Sequence, residues 1–125
     1  MSDSISVLVV DDFSTMRRII KKHLSGLGLT NIVEAENGLK AWNIIQDQNI
    51  DLVVCDWNMP EMTGMELLKK VRTSESLKHI PFIMVTAESK TKITIEHGEE
   101  KLTDYIAKPF KAKDLEEKIK SMLQV

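Results

Sequence analysis

The run Ser6-Val7-Leu8-Val9-Val10-Asp11-Asp12-Phe13-Ser14 decides the fold. It is apolar for too short a distance to be a helix, and it stops abruptly at two adjacent carboxylates. A short run without polar alternation reads as a strand covered on both faces, the position of a central strand in a parallel sheet. Working outward from it, the same unit recurs. Asn31 to Ala35, Leu52 to Cys55, Pro81 to Val85 and Tyr105 to Ala107 are further strand candidates, and longer amphipathic segments lie between them. Thr15 to Leu27 sets Met16, Ile19, Ile20, His23, Leu24 and Leu27 at helical spacing, and Leu39 to Gln48 does the same with Leu39, Trp42, Ile44 and Ile45. Met65 to Val71 and Leu115 to Leu123 are two more amphipathic helices, with Gly28 and Gly38 as punctuation. Five strand–helix pairs fit the chain, which makes an α/β fold with a parallel sheet.

Strand order follows from polarity. The first, third and fourth runs are continuously apolar, whereas Glu34 interrupts the second and Lys108-Pro109 closes the short fifth, so the second and fifth belong at the edges. The order 2-1-3-4-5 satisfies this. A dinucleotide-binding order would also want glycines after the first strand, where Asp11-Asp12-Phe13-Ser14 stands instead. The expected architecture is a flavodoxin-like, doubly wound (βα)5 fold.

Composition bounds the rest. With 125 residues, 42% apolar and 29% charged, the chain is expected to be one globular domain spanning 1–125. Its longest apolar runs fall far short of the ~20 residues that cross a bilayer, and no leader pattern opens it, so a cytoplasmic protein without membrane contact is expected. A single cysteine allows no internal disulfide, and 17 basic against 19 acidic residues give no electrostatic support for nucleic-acid binding.

In a sheet of this order the ligand site lies outside the carboxyl ends of strands one and three. Asp11 and Asp12 end the first and Asp56 ends the third. Any one of these acids could serve as a helix cap or open a turn. Three together are different, because like charges ~4 Å apart repel by about 4 kcal/mol per pair at an effective dielectric of 20. A divalent cation relieves that, and oxygen-only donors suit Mg²⁺ better than zinc. Thr86 ends the fourth strand with a hydroxyl and Lys108 follows the fifth with an ammonium. Three carboxylates, one lysine and one Mg²⁺ sum to zero formal charge, so an added phosphoryl group leaves the site net negative beside two donors.

Four separate motifs, Val9-Val10-Asp11-Asp12-Phe13-Ser14-Thr15-Met16-Arg17-Arg18, Asp56-Trp57-Asn58-Met59-Pro60, Val85-Thr86-Ala87-Glu88 and Lys108-Pro109-Phe110, resemble the response-regulator receiver family, in particular its single-domain chemotaxis members. The resemblance covers nearly the whole chain. It implies that Asp56 accepts a phosphoryl group from a histidine kinase, and that Asp12, Asp56 and the backbone carbonyl of Asn58 bind Mg²⁺, with Asp11 acting through water. It further implies that Lys108 and Thr86 contact the phosphoryl oxygens, that Tyr105 is an aromatic switch following Thr86, and that the Lys108-Pro109 bond is cis. Asn58 and Glu88 would then influence how fast water removes the phosphoryl group. Such a protein is a signalling phosphoacceptor that catalyses only its own phosphotransfer and dephosphorylation. It acts as a monomer on partner proteins, among which the flagellar motor switch and a phosphatase are implied.

The segment between the fourth and fifth strands departs from that pattern. Thr91-Lys92-Ile93-Thr94-Ile95 is rich in β-branched residues, and Lys101 and Leu102 stand where the family commonly has small residues. A helix that ends near Gly98 or is poorly ordered, with a longer loop from Glu99 to Thr103, is expected. This is the family's motor-docking face, so a phosphate sink or a different partner is the alternative output. Of another class is a small Mg²⁺-dependent phosphatase with an Asp nucleophile, but Phe13 stands where its second Asp belongs. A flavin carrier is disfavoured because Asp11 and Asp12 would repel the cofactor phosphate. Cys55, His23, His79 and His97 and the methionines Met16, Met84 and Met122 read as packing or surface residues.

Overall fold

The computed structural model describes residues 5–57, 59, 62–86, 104–107 and 110–123. Along the chain run β1 (Ser6–Val10), α1 (Ser14–Gly26), β2 (Asn31–Ala35), α2 (Gly38–Asp47), β3 (Leu52–Asp56), α3 (Gly64–Thr73), β4 (Phe82–Thr86), β5 (Asp104–Ala107) and α4 (Ala112–Leu123). The strands form one parallel sheet in the order β2-β1-β3-β4-β5, with the edges where polarity places them. The expected course of the Thr91 to Thr103 segment and the cis bond at Lys108-Pro109 lie outside the described residues. No helix among those described is long and apolar enough to cross a membrane.

Alternation along the central strands sends side chains to opposite faces, and each face has its own core. Leu8, Val10, Val53, Cys55, Phe82 and Met84 pack with Ala41 and Ile45 of α2 and Leu67, Leu68 and Val71 of α3. Val7, Val9, Leu52, Val54, Ile83 and Val85 pack with Ile20 and Leu24 of α1 and Leu115 and Ile119 of α4. Residues 7–10 and 52–55 are wholly buried, which explains their unbroken apolar character. Cys55 lies within this core, as do Met59, Met62, Met65 and Met84. Two residues counted toward helix cores face solvent: Ile19 is 40% exposed and Leu39 47%. Periodicity fixes a stripe but not its width, and both residues fall at its margin.

Helix ends are set by local chemistry. Asn37 caps α2 by accepting from the Lys40 N–H at 2.8 Å. Thr63 and Glu66 form a reciprocal capping box at the start of α3. Gly28, at φ 86°, follows α1 and turns the chain back toward β2.

Candidate functional site

The acids at the carboxyl edge are placed by strand pairing. The Asp11 N–H donates to the Ala35 carbonyl at 3.1 Å, one step beyond the β1–β2 ladder, so the backbone there is still held by the sheet. Its side chain then turns the chain: Asp11 Oδ1 accepts from the Phe13 N–H at 2.9 Å. Phe13, not Asp12 or Ser14, occupies the N-cap of α1, and no side chain caps that helix. The capping role open to Asp12 is therefore not the one it plays.

Asp56 is the last residue of β3 and pairs with Val85; the ladder continues as the Trp57 N–H donates to the Val85 carbonyl at 3.0 Å. One oxygen each from Asp11, Asp12 and Asp56 lie within 4.8 Å of one another. Asp11 is fully buried, Asp56 is 5% exposed, and Asp12 is half-buried. At an effective dielectric near 20, charges at that separation repel by roughly 3 to 4 kcal/mol per pair. Asp12 Oδ1 is shut off from solvent with no hydrogen-bond partner among the described residues. A buried, orphaned carboxylate oxygen in a cluster with two other carboxylates suits a hard divalent cation with oxygen ligands, and Mg²⁺ fits this donor set.

Thr86 ends β4 next to β3, 2% exposed and paired with Ala107 of β5. Tyr105 occupies β5 opposite Met84. Asn58 and Lys108 lie outside the described residues. Trp57 is half-buried beside Asp56, while Phe13, 66% exposed, stands at the rim. Burial, reinforced by the neighbouring Asp56 and Asp11 charges, pushes the Cys55 thiol well above its usual range, so it is no nucleophile.

Three residues to which the sequence reading gave no role there bear on the site. Gly64 opens α3 directly beneath Asp56, and Arg17 and Glu34 brace the backbone of Asp11 from outside. The pattern Thr63-Gly64-Met65-Glu66 was a legible helix start. The link between Arg17 and Glu34 joins α1 to β2 and has no local signature.

Comparison with known proteins agrees with this geometry. The chain is 50% identical over 118 residues to the chemotaxis protein CheY of Pseudomonas aeruginosa, covering 94% of this chain and 95% of that relative. It is 45% identical over 124 residues to the chemotaxis protein CheY-3 of Vibrio cholerae, covering 99% and 95%. The solved structure of the chemotaxis response regulator CheY4 of Vibrio cholerae matches with a TM-score of 0.85 at 30% identity, over 94% of this chain and 97% of that one. Residues 7–120 match the response regulator receiver domain, and with its acids at the carboxyl ends of β1 and β3 this chain belongs to that family.

Proposed function

We propose that this chain accepts a phosphoryl group on Asp56 from a phosphohistidine of a histidine kinase and signals the change by binding a partner protein in a chemotaxis pathway. The convergence of Asp11, Asp12 and Asp56 oxygens within 4.8 Å, at the switch point of the sheet, is the observation that carries this reading. The chemotaxis assignment is supported by the two relatives at 45 to 50% identity.

In the transfer, a carboxylate oxygen of Asp56 forms a bond to phosphorus as the P–N bond to the donor imidazole breaks. The departing nitrogen keeps the electron pair and takes up a proton. Asp12, Asp56 and the Asn58 carbonyl would hold Mg²⁺, with Asp11 supporting the ion through water. The bound ion supplies charge neutralisation on the transferring oxygens. Lys108 and the Thr86 hydroxyl donate to the phosphoryl oxygens, and Tyr105 follows Thr86 as the switch. For release, water attacks phosphorus, the P–O bond to Asp56 breaks, and inorganic phosphate leaves with the carboxylate restored. Residues 1–125 form one receiver domain, a cytoplasmic monomer catalysing only these two steps on itself. Its output is docking on the flagellar motor switch, ended by a phosphatase.

Acetyl phosphate plus Mg²⁺ tests the acceptor directly, followed by intact mass and by Trp57 emission in a Trp42→Phe background. A phosphate adduct present in the parent and lost in Asp56→Asn is expected. No adduct, together with emission that ignores Mg²⁺, overturns the reading. Pull-down of the motor switch protein with and without the phosphodonor then tests the partner.

A further inference from the structure

Arg17 lies in the first turn and a half of α1, with its side chain only 16% exposed. Its guanidinium is engaged on two sides. Nη1 donates to the backbone carbonyl of Asp11 at 2.6 Å, and Nε donates to Glu34 Oε1 at 3.0 Å. Glu34 sits on edge strand β2 opposite Val9, and its other oxygen stands 3.6 Å from Lys21 Nζ. The carbonyl that Arg17 grips belongs to the peptide group joining Asp11 to Asp12. That peptide plane sets the direction in which the Asp12 side chain leaves the backbone. The Asp11 N–H is tied to Ala35 and its side chain to Phe13, and Arg17 adds a further restraint, on the carbonyl, to the turn that carries both acids.

We infer that Arg17, aimed by Glu34, is a positioning residue for divalent-cation binding at the Asp11-Asp12-Asp56 cluster. The inference rests on the reading of that cluster as a cation site. Arginine suits the task because its planar fork donates in two fixed directions, which one ammonium cannot reproduce. The pairing with Glu34 matters as much. A bare positive charge beside the cluster would compete with the cation, whereas a guanidinium neutralised by Glu34 orients the backbone and leaves the negative charge of the acids for the ion.

Charge and orientation predict opposite signs, which makes the inference testable. Removing a positive charge near a cation site tightens binding if charge is all that matters; removing an orienting group loosens it. Outer-shell residues that orient ligands typically change metal affinity by 10–100-fold. In a Trp42→Phe background, Mg²⁺ titrations followed by Trp57 emission, with free Mn²⁺ by electron paramagnetic resonance as a second readout, are expected to show Arg17→Met binding about tenfold more weakly. Arg17→Lys should fall between Arg17→Met and the parent. Tighter binding in Arg17→Met, or unchanged affinity with a lowered melting temperature, overturns the inference and makes Arg17 a counter-ion or a brace. Absence of cation binding in the parent protein overturns the cation reading itself. Glu34→Gln retains the Arg17 side chain but removes the carboxylate that aims it, and guards against misfolding of Arg17→Met. Its weakened binding should persist at roughly 1 M salt, where the Debye length is about 3 Å and an unmasked charge is screened. Full recovery at that salt overturns the positioning role.

Discussion

A Cβ built on Gly64 would stand 2.3 Å from the carbonyl oxygen of Asp56. The start of α3 thus presses on the backbone of the proposed phosphoacceptor, and the Gly64 N–H donates to the next carbonyl, Trp57, at 2.9 Å. The added carbon would also meet Met84 Sδ at 2.8 Å, which a flexible side chain can relieve, but the backbone of Asp56 and Trp57 cannot give way cheaply.

Gly64→Ala is therefore expected to destabilise by about 2 to 3 kcal/mol, the upper part of the range for overpacking, and to slow phosphorylation of Asp56 by displacing its backbone. Gly26→Ala is the control. A Cβ there meets nothing within 4 Å, and removing a helical glycine should stabilise by roughly 0.5 to 1 kcal/mol. Urea midpoints of the two variants should move in opposite directions; a shift of the same sign would remove the argument from close approach.

The acid cluster should be a burden to the cation-free protein. Asp12→Asn removes one of three converging charges, so its melting temperature in EDTA is expected to exceed that of the parent by a few degrees, corresponding to about 1 to 2 kcal/mol, the part of the pairwise repulsion that survives solvent screening of the half-buried Asp12. With Mg²⁺ added the parent should gain stability by mass action while the variant gains little. Calorimetric scans with and without Mg²⁺ decide it; equal gains in both proteins would show that Asp12 does not bind the ion.

Strands were legible because burial on both faces leaves a sequence mark. Val7 to Val10 and Leu52 to Cys55 are apolar without a break, and both edges carry a polar interruption. The third strand runs one residue past its apolar stretch, because backbone pairing of Asp56 with Val85 needs no apolar side chain. Fourth-strand pairing likewise extends to Thr86. The acids of the site were legible for a related reason: carboxylates directly after buried runs must gather where the strands end. Their brace was not. Arg17 and Glu34 are seventeen positions apart, and only the β1–β2 register, which sets Glu34 beside Val9, brings them together. Ordinary surface charges look the same in a sequence.

Cys55 offers a prediction in alkali. Its thiol is held neutral well above its usual range by burial and by the nearby Asp56 and Asp11 charges. The folded value exceeds the unfolded one, so the unfolded chain loses the proton first. The associated stability is complete below about pH 8.5 and is lost as pH rises, by up to ~1.4 kcal/mol per unit. Cys55→Ala should be less stable at pH 7 because of the cavity, yet the gap to the parent should narrow between about pH 8.5 and 10. Parallel curves would mean the native thiol ionises normally.

The capping box of α3 predicts the converse dependence in acid. Thr63 Oγ1 accepts from the Glu66 N–H at 3.2 Å, and Glu66 Oε1 accepts from the Thr63 N–H at 3.0 Å. The bonds to Thr63, helped by Lys69 and Lys70, lower the Glu66 carboxyl below its ordinary value. A carboxyl lowered in the folded state binds fewer protons there than in the unfolded chain, so its contribution is present above the ordinary value of about 4.3 and fades as pH falls through the lowered one. Thr63→Ala should cost about 1 kcal/mol at pH 7, since it removes the cap. It also removes the hydroxyl's share of what lowers Glu66 while keeping the larger share from the residue 63 N–H, so the gap to the parent shrinks only in part on acidification. Glu66→Gln isolates the carboxylate: it cannot titrate, and its deficit against the parent should be largest near neutrality and smallest once the pH has fallen through the lowered value. Urea unfolding across that range checks both, and a gap independent of pH would mean that Glu66 supports the helix without its charge. Because Gly64 follows Thr63 directly, fraying at this cap would also loosen the contact beneath Asp56. Thr63→Ala is accordingly expected to slow phosphorylation from acetyl phosphate more than an equally destabilising substitution in α4, such as Ile119→Val.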